Sequence, residues 1–230
     1  MQGFQGKPKL ALGSHRADTG MKHLSRSAVC KVPDWNALYR EGTPPWETGR
    51  PAAELVRLVD EKVLRPMPTL EVGCGTGADA VFLASRGFEV TAVDSSPIAI
   101  ERARTRAEQA GALVRFVLDD VFDFAQSAGE TFDLVYDAGF YHFIRLVELD
   151  RYLDLLWRVT RPGTLCLTLA GSVGECAEGG PPQVSPDDIR RELGRLLEIV
   201  QLRSFRFESP HRREGYLGWS CLMRRPKTKG

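Results

Sequence analysis

The chain has 230 residues, of which 43% are apolar, and it carries a formal net charge of +1 at pH 7. This length and apolar content can bury one good core without a second domain. A balanced charge argues against nucleic acid held by a global electrostatic field. No apolar run approaches the ~18 residues that a membrane span needs. We therefore expect a soluble monomer with neither a nucleic-acid nor a membrane partner.

The five cysteines are odd in number and lack the spacing of a disulfide framework. Free thiols in a reducing compartment are therefore expected. No C-x-x-C pair and no His/Cys cluster has the spacing of zinc ligands, so the sequence predicts that no metal is bound.

Residues 1–33 are basic, with the single acid Asp18, and show no sustained hydrophobic period. We interpret them as a disordered basic tail, with a mitochondrial transit peptide as the alternative. They lack the continuous apolar run of a secretory signal, so a cytoplasmic protein is expected. One domain should then cover residues 34–226, with a lid segment at 34–65 and a solvated tail at 227–230.

The stretch Asp34–Pro51 is rich in proline and glycine yet contains Trp35, Tyr39 and Trp46. Large aromatic side chains are costly to expose, so this stretch should pack against the rest of the chain. It could be a purely structural lid, or an aromatic wall over a cationic ligand, and the two interpretations are compatible. A helix should follow over residues 52–64.

The stretch Leu70–Gly77 joins a β-prone run to a helical segment, Ala78–Arg86, through three alternating glycines. Such a turn lets a ligand approach bare backbone at a helix N-terminus. Asp94 ends the next β-prone run, 17 residues after Gly77, where an acid can accept hydrogen bonds from ribose hydroxyls. Glu71 could receive an ammonium group, whereas a pyrophosphate gives no reason for a carboxylate so close. The chain therefore predicts a nucleoside-bearing cofactor.

The rest of the chain continues this alternation of strands and helices. The predicted elements are a helix at 98–110 with a solvated charged face, a strand at 113–118, a strand at 132–137, a helix at 149–159, a break at 161–163, a strand at 164–169, a helix from 185 to 197, and a hairpin of 199–207 with 216–223. Five βα units followed by an antiparallel hairpin are not the two βαβαβ halves of a dinucleotide domain. The pattern favours a Rossmann-like α/β fold with a seven-stranded, mostly parallel sheet and helices on both faces.

These residues resemble the class I S-adenosylmethionine-dependent methyltransferases over about 34–226, most specifically in the Glu-Val-Gly-Cys-Gly-Thr-Gly run at 71–77. The aromatic prelude resembles that of thiopurine, thiol and halide methyltransferases and of tellurite-resistance methyltransferases. The resemblance implies S-adenosyl-L-methionine as cofactor, S-adenosyl-L-homocysteine as product and a small-molecule acceptor.

The resemblance also implies which residues meet the cofactor. Asp94 would bind the ribose diol, and Asp120 the adenine amino group. The full implied set is Trp35, Trp46, Arg50, Glu71, Gly73, Cys74, Gly75, Thr76, Gly77, Asp94, Ser95, Asp120, Val121, Phe122, Asp137 and Ala138.

Asp137 ends the fourth predicted strand, and Tyr141 and His142 follow it; these three residues are the candidates for the acceptor side. His142 could be a general base because imidazole titrates near neutrality, or it could be a structural histidine in a loop corner. A soft acceptor such as a thiol, a thiopurine-like compound or a selenium or tellurium species needs little base catalysis. The alternatives are O- or N-methylation of a small metabolite, a non-catalytic cofactor-binding module and, as an outsider, a nicotinamide dehydrogenase.

Overall fold

A computed structural model of the protein describes residues 33–174 and 181–227. The tails expected at 1–33 and 227–230 lie outside these ranges except for Pro33 and Lys227. None of the helices within the described ranges is long and apolar enough to cross a bilayer. No cluster of three or more metal-ligating side chains occurs in the same part of the chain.

Helices and strands alternate along most of the chain. The helices are α1 (Trp35–Glu41), α2 (Ala53–Asp60), α3 (Ala78–Ser85), α4 (Pro97–Ala110), α5 (Val121–Ser127), α6 (Phe140–Ile144), α7 (Leu149–Val159) and α8 (Pro186–Glu192), which continues into a 3₁₀ turn, Leu193–Arg195. The strands are β1 (Pro68–Val72), β2 (Glu89–Asp94), β3 (Val114–Leu118), β4 (Phe132–Ala138), β5 (Thr160–Ser172), β6 (Gln183–Val184), β7 (Glu198–Phe207) and β8 (Tyr216–Arg224).

The strands form one sheet in the order β3-β2-β1-β4-β5-β8-β7. Neighbours from β3 through β5 are parallel, and β8 runs antiparallel to both β5 and β7. This confirms the predicted mostly parallel sheet with a C-terminal antiparallel hairpin. The two-residue β6 pairs with the end of β5 as an eighth strand that the sequence did not reveal.

Two apolar clusters cover the two faces of this sheet. Leu55 of α2, Leu83 of α3 and Ile100 of α4 belong to one cluster, while Leu155 of α7 and Ile189 of α8 belong to the other. All five side chains are at most 2% exposed. The predicted helices on both faces are therefore confirmed, and burial of each such side chain contributes roughly 1.5–3 kcal/mol.

The chain order reverses between β1 and β4, which are neighbours in the sheet. Connections from β1 lead outward to β2 and β3 on one side, and the later strands continue on the other. Glu71 is level with Ala92 on β2 and Tyr136 on β4. Ligands of open α/β sheets bind outside the carboxyl ends of the strands at such a reversal, so the fold places the glycine turn at the expected crevice.

The helix that was predicted to end before Arg161-Pro162-Gly163 does end at Val159. The strand after it was predicted at 164–169, but β5 already begins at Thr160 and includes these three residues. The pairing of β5 with β4 shifts register between Phe132 and Leu134. The backbone of β5 at this irregularity bonds outside β4. The Gly163 N–H donates to the Arg225 carbonyl at 2.9 Å. A proline inside a strand is tolerated at such a bulge.

Three short helices were not predicted: α1, α5 and α6, of five to seven residues each. Helices this short show too few turns to produce a 3.6-residue period. Two of them, α1 and α5, instead begin at an acid, since Asp34 accepts from the Ala37 N–H and Asp120 from the Phe122 N–H. A side-chain acceptor at this position satisfies an N–H that has no partner inside the helix.

Candidate active site

The turn between β1 and α3 is held open by three glycines and one acid. Gly73, Gly75 and Gly77 all have positive φ, at 67°, 53° and 73°. The Asp94 carboxylate accepts from the Gly75 N–H and from the Ser96 N–H, both at 2.8 Å. Burial raises the pKa of Asp94, and these donors oppose the rise. A carboxylate offers about four lone pairs, so Asp94 can still accept a ligand hydroxyl beside its backbone donors Gly75, Ser95 and Ser96.

Glu71 is buried beside this turn, and no cationic side chain in the described part of the chain pairs with it. It is 4% exposed, and its Oε2 is sealed from solvent with no hydrogen-bond partner among the described residues. Burial raises the pKa of Glu71 well above its usual range, and the nearby Asp79 and Asp94 raise it further. Asp79 differs, because it accepts from the Ala52 N–H at 2.7 Å and the Tyr136 hydroxyl at 2.6 Å. An acid left in this state is a receptor for a cation.

Two arginines of α4 hold the lid, and one of them, Arg106, also reaches the glycine turn. Arg102 donates to the Tyr39 carbonyl at 2.9 Å. Arg106 donates to the Gly49 carbonyl at 2.8 Å and to the Thr76 carbonyl at 3.0 Å, which lies in the turn itself. The charged face of α4 is therefore more than a solvated surface. Planar guanidinium groups suit such bridging because they present several donors in a fixed fork.

A second lid contact runs from Glu47 to the same turn. Its carboxylate accepts from the Thr76 hydroxyl and, at 2.8 Å, from the Gly49 N–H. It also lies 3.7 Å from Arg106. The lid thus meets the glycine turn through charge-assisted hydrogen bonds, which are about twice as strong as neutral ones.

Five aromatic rings run from α6 across the lid to the glycine turn, and we call them the aromatic row: His142, Phe143, Trp35, Trp46 and Tyr39. Successive ring centroids are 4.8, 5.0, 5.7 and 6.4 Å apart, and all contacts are edge-to-face. Edge-to-face geometry is favourable because a positive ring edge meets a negative ring face. Trp46 remains 43% exposed, so the row keeps an accessible aromatic surface.

The other residues implied for the cofactor divide by exposure. Arg50, Ser95, Asp120 and Ala138 are exposed, and Cys74, Thr76, Val121 and Phe122 are buried. Asp120 accepts from the Phe122 N–H at 2.8 Å, so this acid fixes the start of α5. Burial raises the pKa of the Cys74 thiol, which makes it an inert filler of the turn.

Asp137 lies at the end of β4, and four donors surround its carboxylate. One oxygen accepts from the N–H groups of Phe140 and Tyr141 at 3.0 and 3.1 Å. The other accepts from the hydroxyls of Tyr152 and Thr168 at 2.8 and 3.0 Å. Burial raises the pKa of Asp137 to about 6, and the donors oppose the rise. This placement supports a role in holding α6 rather than the direct contact with reactants that the sequence suggested.

Tyr141 lies in the core and not on the acceptor side. Its side chain is 0% exposed, and its hydroxyl donates to Glu192 of α8 at 2.8 Å. Arg145 donates to the same carboxylate oxygen at 2.8 Å. Burial raises the pKa of Tyr141, so the hydroxyl stays protonated. The expected place of Tyr141 beside the acceptor is thus corrected: it ties α6 to α8.

His142 is buried with its ring between the ends of β4 and β5. Its Nδ1 accepts from the Gly171 N–H at 3.1 Å, and a backbone N–H can only donate, so the proton is on Nε2. Burial lowers the pKa of His142 to about 3, which keeps the ring neutral. The one lone pair that a general base needs is therefore already in use. This geometry does not fit the expected base role.

Several known proteins are similar to this chain in sequence. Residues 69–163 match the family described as "Methyltransferase domain". The chain is 27% identical over 161 residues to the probable thiol methyltransferase 2 of Arabidopsis thaliana, covering 69% of this chain and 70% of that protein. It is 28% identical over 159 residues to the 2-heptyl-1-hydroxyquinolin-4(1H)-one methyltransferase of Mycobacteroides abscessus, covering 68% and 69% of the two chains.

Solved structures of methyltransferases have a similar fold. A structure from work on the conversion of a disulfide bond into a thioacetal group during echinomycin biosynthesis superposes with a TM-score of 0.73 at 28% identity, covering 84% of this chain and 92% of the other. The N-methyltransferase NodS of Bradyrhizobium japonicum, solved with S-adenosyl-L-homocysteine, shares the fold with a TM-score of 0.60 at 22% identity, over 84% and 90% of the chains. Sequence and fold together identify the chain as an S-adenosylmethionine-dependent methyltransferase.

The cofactor of this methyltransferase fits the charges around the glycine turn. When bound, S-adenosylmethionine supplies an electrophilic methyl group on a sulfonium. Its ammonium group would satisfy the Glu71 carboxylate, and its ribose hydroxyls would use the free lone pairs of Asp94. The exposed aromatic surface at Trp46 suits a neighbouring cation. The cradle and the unpaired acid both match the cofactor.

We expect Gly75→Ala in the methyltransferase to weaken cofactor binding by disturbing the contact with the lid. A Cβ at this position would lie 2.7 Å from the Tyr39 hydroxyl, and a positive φ adds about 1–2 kcal/mol of strain for alanine. Thermal unfolding and calorimetric titration with S-adenosylhomocysteine measure the two effects. The double variant Gly75→Ala/Tyr39→Phe removes the obstructing oxygen and should regain part of the lost affinity. An affinity no better than that of Gly75→Ala would contradict the contact.

Several site residues of the methyltransferase were not singled out from the sequence. They are Glu47, Asp79, Arg102, Arg106, Phe143 and Gly171. Most act through partners distant in sequence, as Arg106 does with Gly49, 57 residues away. Gly171 packs against the Pro181–Pro182 pair, because a Cβ on Gly171 would lie 2.4 Å from the Pro182 carbonyl oxygen. These two prolines were the one sequence feature near Gly171 that could have drawn attention to it.

Proposed function

We propose that this methyltransferase transfers the methyl group of S-adenosylmethionine to a small soft nucleophile. The acceptor would be a thiol, a thiopurine-like compound or a selenium or tellurium compound. The observation that carries the proposal is the state of the acceptor side: Asp137 is surrounded by donors, and the only imidazole lone pair of His142 is taken. Soft, acidic acceptors react without a strong base.

The aromatic row supports the same proposal. It supplies apolar, polarisable surface beside the ends of β4 and β5, and sulfur contacts aromatic rings favourably by about 0.3–1.5 kcal/mol. The chain's main catalytic contribution would then be alignment of the acceptor and exclusion of water, which can contribute about 7–11 kcal/mol to lowering a barrier. The similarity to a probable thiol methyltransferase points in this direction.

A second candidate is methylation of an oxygen or nitrogen on a flat heterocycle. The similarity to a hydroxyquinolone methyltransferase, over nearly the same share of the chain, favours it. The aromatic row would also stack such a ring. The two candidates differ in proton chemistry, because a weakly acidic hydroxyl needs a base in the transition state.

The test is a comparison of acceptors that differ in one atom. Purified full-length protein is first titrated with S-adenosylmethionine, S-adenosylhomocysteine and NAD to establish the cofactor. Thiophenol and phenol, and then 2-mercaptoquinoline and 2-hydroxyquinoline, are incubated with methyl-labelled cofactor, and products are identified by mass spectrometry. We expect kcat/KM for each thiol to exceed that of its oxygen counterpart by at least about 10²-fold, or ~2.7 kcal/mol.

Equal or reversed rates within each pair would overturn the soft-acceptor proposal and favour the second candidate. Cofactor binding with no methylation of either set would leave a non-catalytic binding module as the better interpretation.

A further inference from the structure

We propose that His142 is a hydrogen-bond donor that holds an anionic acceptor, and that the acceptor loses its proton to solvent before it binds. This inference rests on the proposed function, since it names how the soft acceptor is received. It assigns His142 a role opposite to that of a general base. The argument depends on which ring nitrogen carries the proton and on where that nitrogen lies.

The proton is placed by the backbone of β5. The Gly171 N–H lies 3.1 Å from Nδ1 of His142 and has no lone pair in the peptide plane to accept a proton. Nδ1 must therefore be the acceptor, and the ring hydrogen is on Nε2. Burial lowers the pKa of the ring to about 3, which agrees with one fixed neutral tautomer.

The Nε2–H is the remaining polar group of the ring. It lies 3.4 Å from the position that a Cβ would take on Gly139. Gly139 directly follows β4, so this N–H is at the carboxyl edge of the sheet. No hydrogen bond from Nε2 and no ion pair of the ring occurs among the described residues, and Nε2 is not one of their sealed, unpartnered atoms. It can therefore meet a ligand.

The ring is held rigidly in this position. Phe143 packs edge-to-face on it at 4.8 Å. The helix α6 that carries it is fixed at its start by Asp137 and through Tyr141 by Glu192. On β5, Gly171 is also crowded by Pro182. A donor fixed in a water-poor site stabilises an anion more strongly than the same donor in water.

An anionic acceptor makes the transfer balance without a base. The thiolate sulfur forms the new C–S bond as the methyl group's bond to the sulfonium breaks, and that electron pair stays on the cofactor's sulfur. One negative and one positive charge disappear together, and no proton is released in the step. His142 keeps its proton throughout and has to release the neutral thioether.

Two amide variants separate the two ends of the imidazole. In His142→Asn the amide oxygen replaces Nδ1 and can accept from the Gly171 N–H, but the donor at Nε2 is lost. In His142→Gln the terminal amide reaches the Nε2 position and can donate there. We expect kcat/KM for thiophenol to fall about 10²-fold or more in His142→Asn and less than 10-fold in His142→Gln. The affinity for S-adenosylhomocysteine should be unchanged in both variants.

The pH profile supplies a readout that a structural role would not move. For wild type and a series of substituted thiophenols, kcat/KM should rise with pH and level off at the acceptor's own pKa, shifting from one acceptor to the next. Thiocyanate, which is an anion throughout this range, should give a flat profile. The donor role would be refuted if kcat/KM of His142→Asn equalled that of wild type or exceeded that of His142→Gln. It would also be refuted if the midpoint of the pH profile of kcat/KM were the same for every acceptor.

The outcomes distinguish this inference from the proposed function. Methylation of thiophenol with a fixed midpoint would overturn the donor role and leave the soft-acceptor proposal standing. Binding of S-adenosylhomocysteine without methylation of any thiol or thiocyanate would overturn the proposed function itself. Thermal unfolding of both variants shows whether a loss of rate has its origin in misfolding.

Discussion

Glu71→Gln should lower the affinity for S-adenosylmethionine and S-adenosylhomocysteine about 10²–10³-fold, or roughly 3–4 kcal/mol. The substitution keeps the shape of the side chain and removes the charge that would pair with the cofactor's ammonium. The free protein should not lose stability, because Oε2 of Glu71 has no partner to lose among the described residues. Calorimetric titration and thermal unfolding without cofactor measure the two quantities.

The affinity of the wild type should also rise with pH. In the free protein, burial and the neighbouring acids raise the pKa of Glu71, whereas pairing with an ammonium requires the ionised form. Binding therefore releases a proton, and affinity increases as pH rises from the ordinary carboxyl range toward the raised pKa. Glu71→Gln should remove this part of the pH dependence.

Glu54→Gln is the matched control, because Glu54 is also buried but is paired with Arg57 at 2.9 Å. It should lower the free energy of unfolding and leave cofactor affinity unchanged, the reverse of the pattern at Glu71. If Glu71→Gln binds S-adenosylhomocysteine within threefold of wild type, Glu71 does not hold the ammonium group.

Asp137→Ala should lower the free energy of unfolding by about 3–5 kcal/mol. Two backbone N–H groups and two hydroxyls lose their shared acceptor inside the core, and unpaired buried donors are costly. Asp137→Asn should lower the free energy of unfolding by less. Its amide oxygen can still accept from both N–H groups, and the hydroxyls of Tyr152 and Thr168 can rotate to accept from its NH2 group. Chemical denaturation at several pH values gives these differences.

The pH dependence at Asp137 has a definite sign. Its pKa in the folded protein is about 6, above the value of about 3.9 for an exposed aspartate. Between these values the folded state holds a proton that the unfolded state has released, so the stabilisation is lost as pH rises through about 6. The difference in stability between wild type and Asp137→Asn should therefore shrink from pH 4 to pH 7.

Asp133→Ala is a control on the same strand, where the aspartate forms a half-exposed ion pair with Arg161. It should cost less than about 1 kcal/mol. If Asp137→Ala proved as stable as this control yet lost methyl transfer, Asp137 would act on the reactants and its structural role would be refuted.

The sequence determined the frame of the site. Alternating strands and helices, three glycines and acids at two strand ends follow from local chemistry: positive φ needs glycine, and buried strands need continuous apolar runs. These signals located Glu71, Asp94 and the glycine turn, and the confirmed sheet brings them together. The helix predicted at 98–110 is α4, and its start is also local chemistry, since the Ser96 side chain accepts from the Ala99 N–H.

Only the tertiary structure decided what state those groups are in. Glu71 and Asp79 are both buried acids, but one has no partner among the described residues and the other has two. His142 became a candidate donor rather than a base because of Gly171, 29 residues away. Burial and hydrogen-bond partners set the pKa and the tautomer of a side chain, and both come from distant parts of the chain that meet only when it folds.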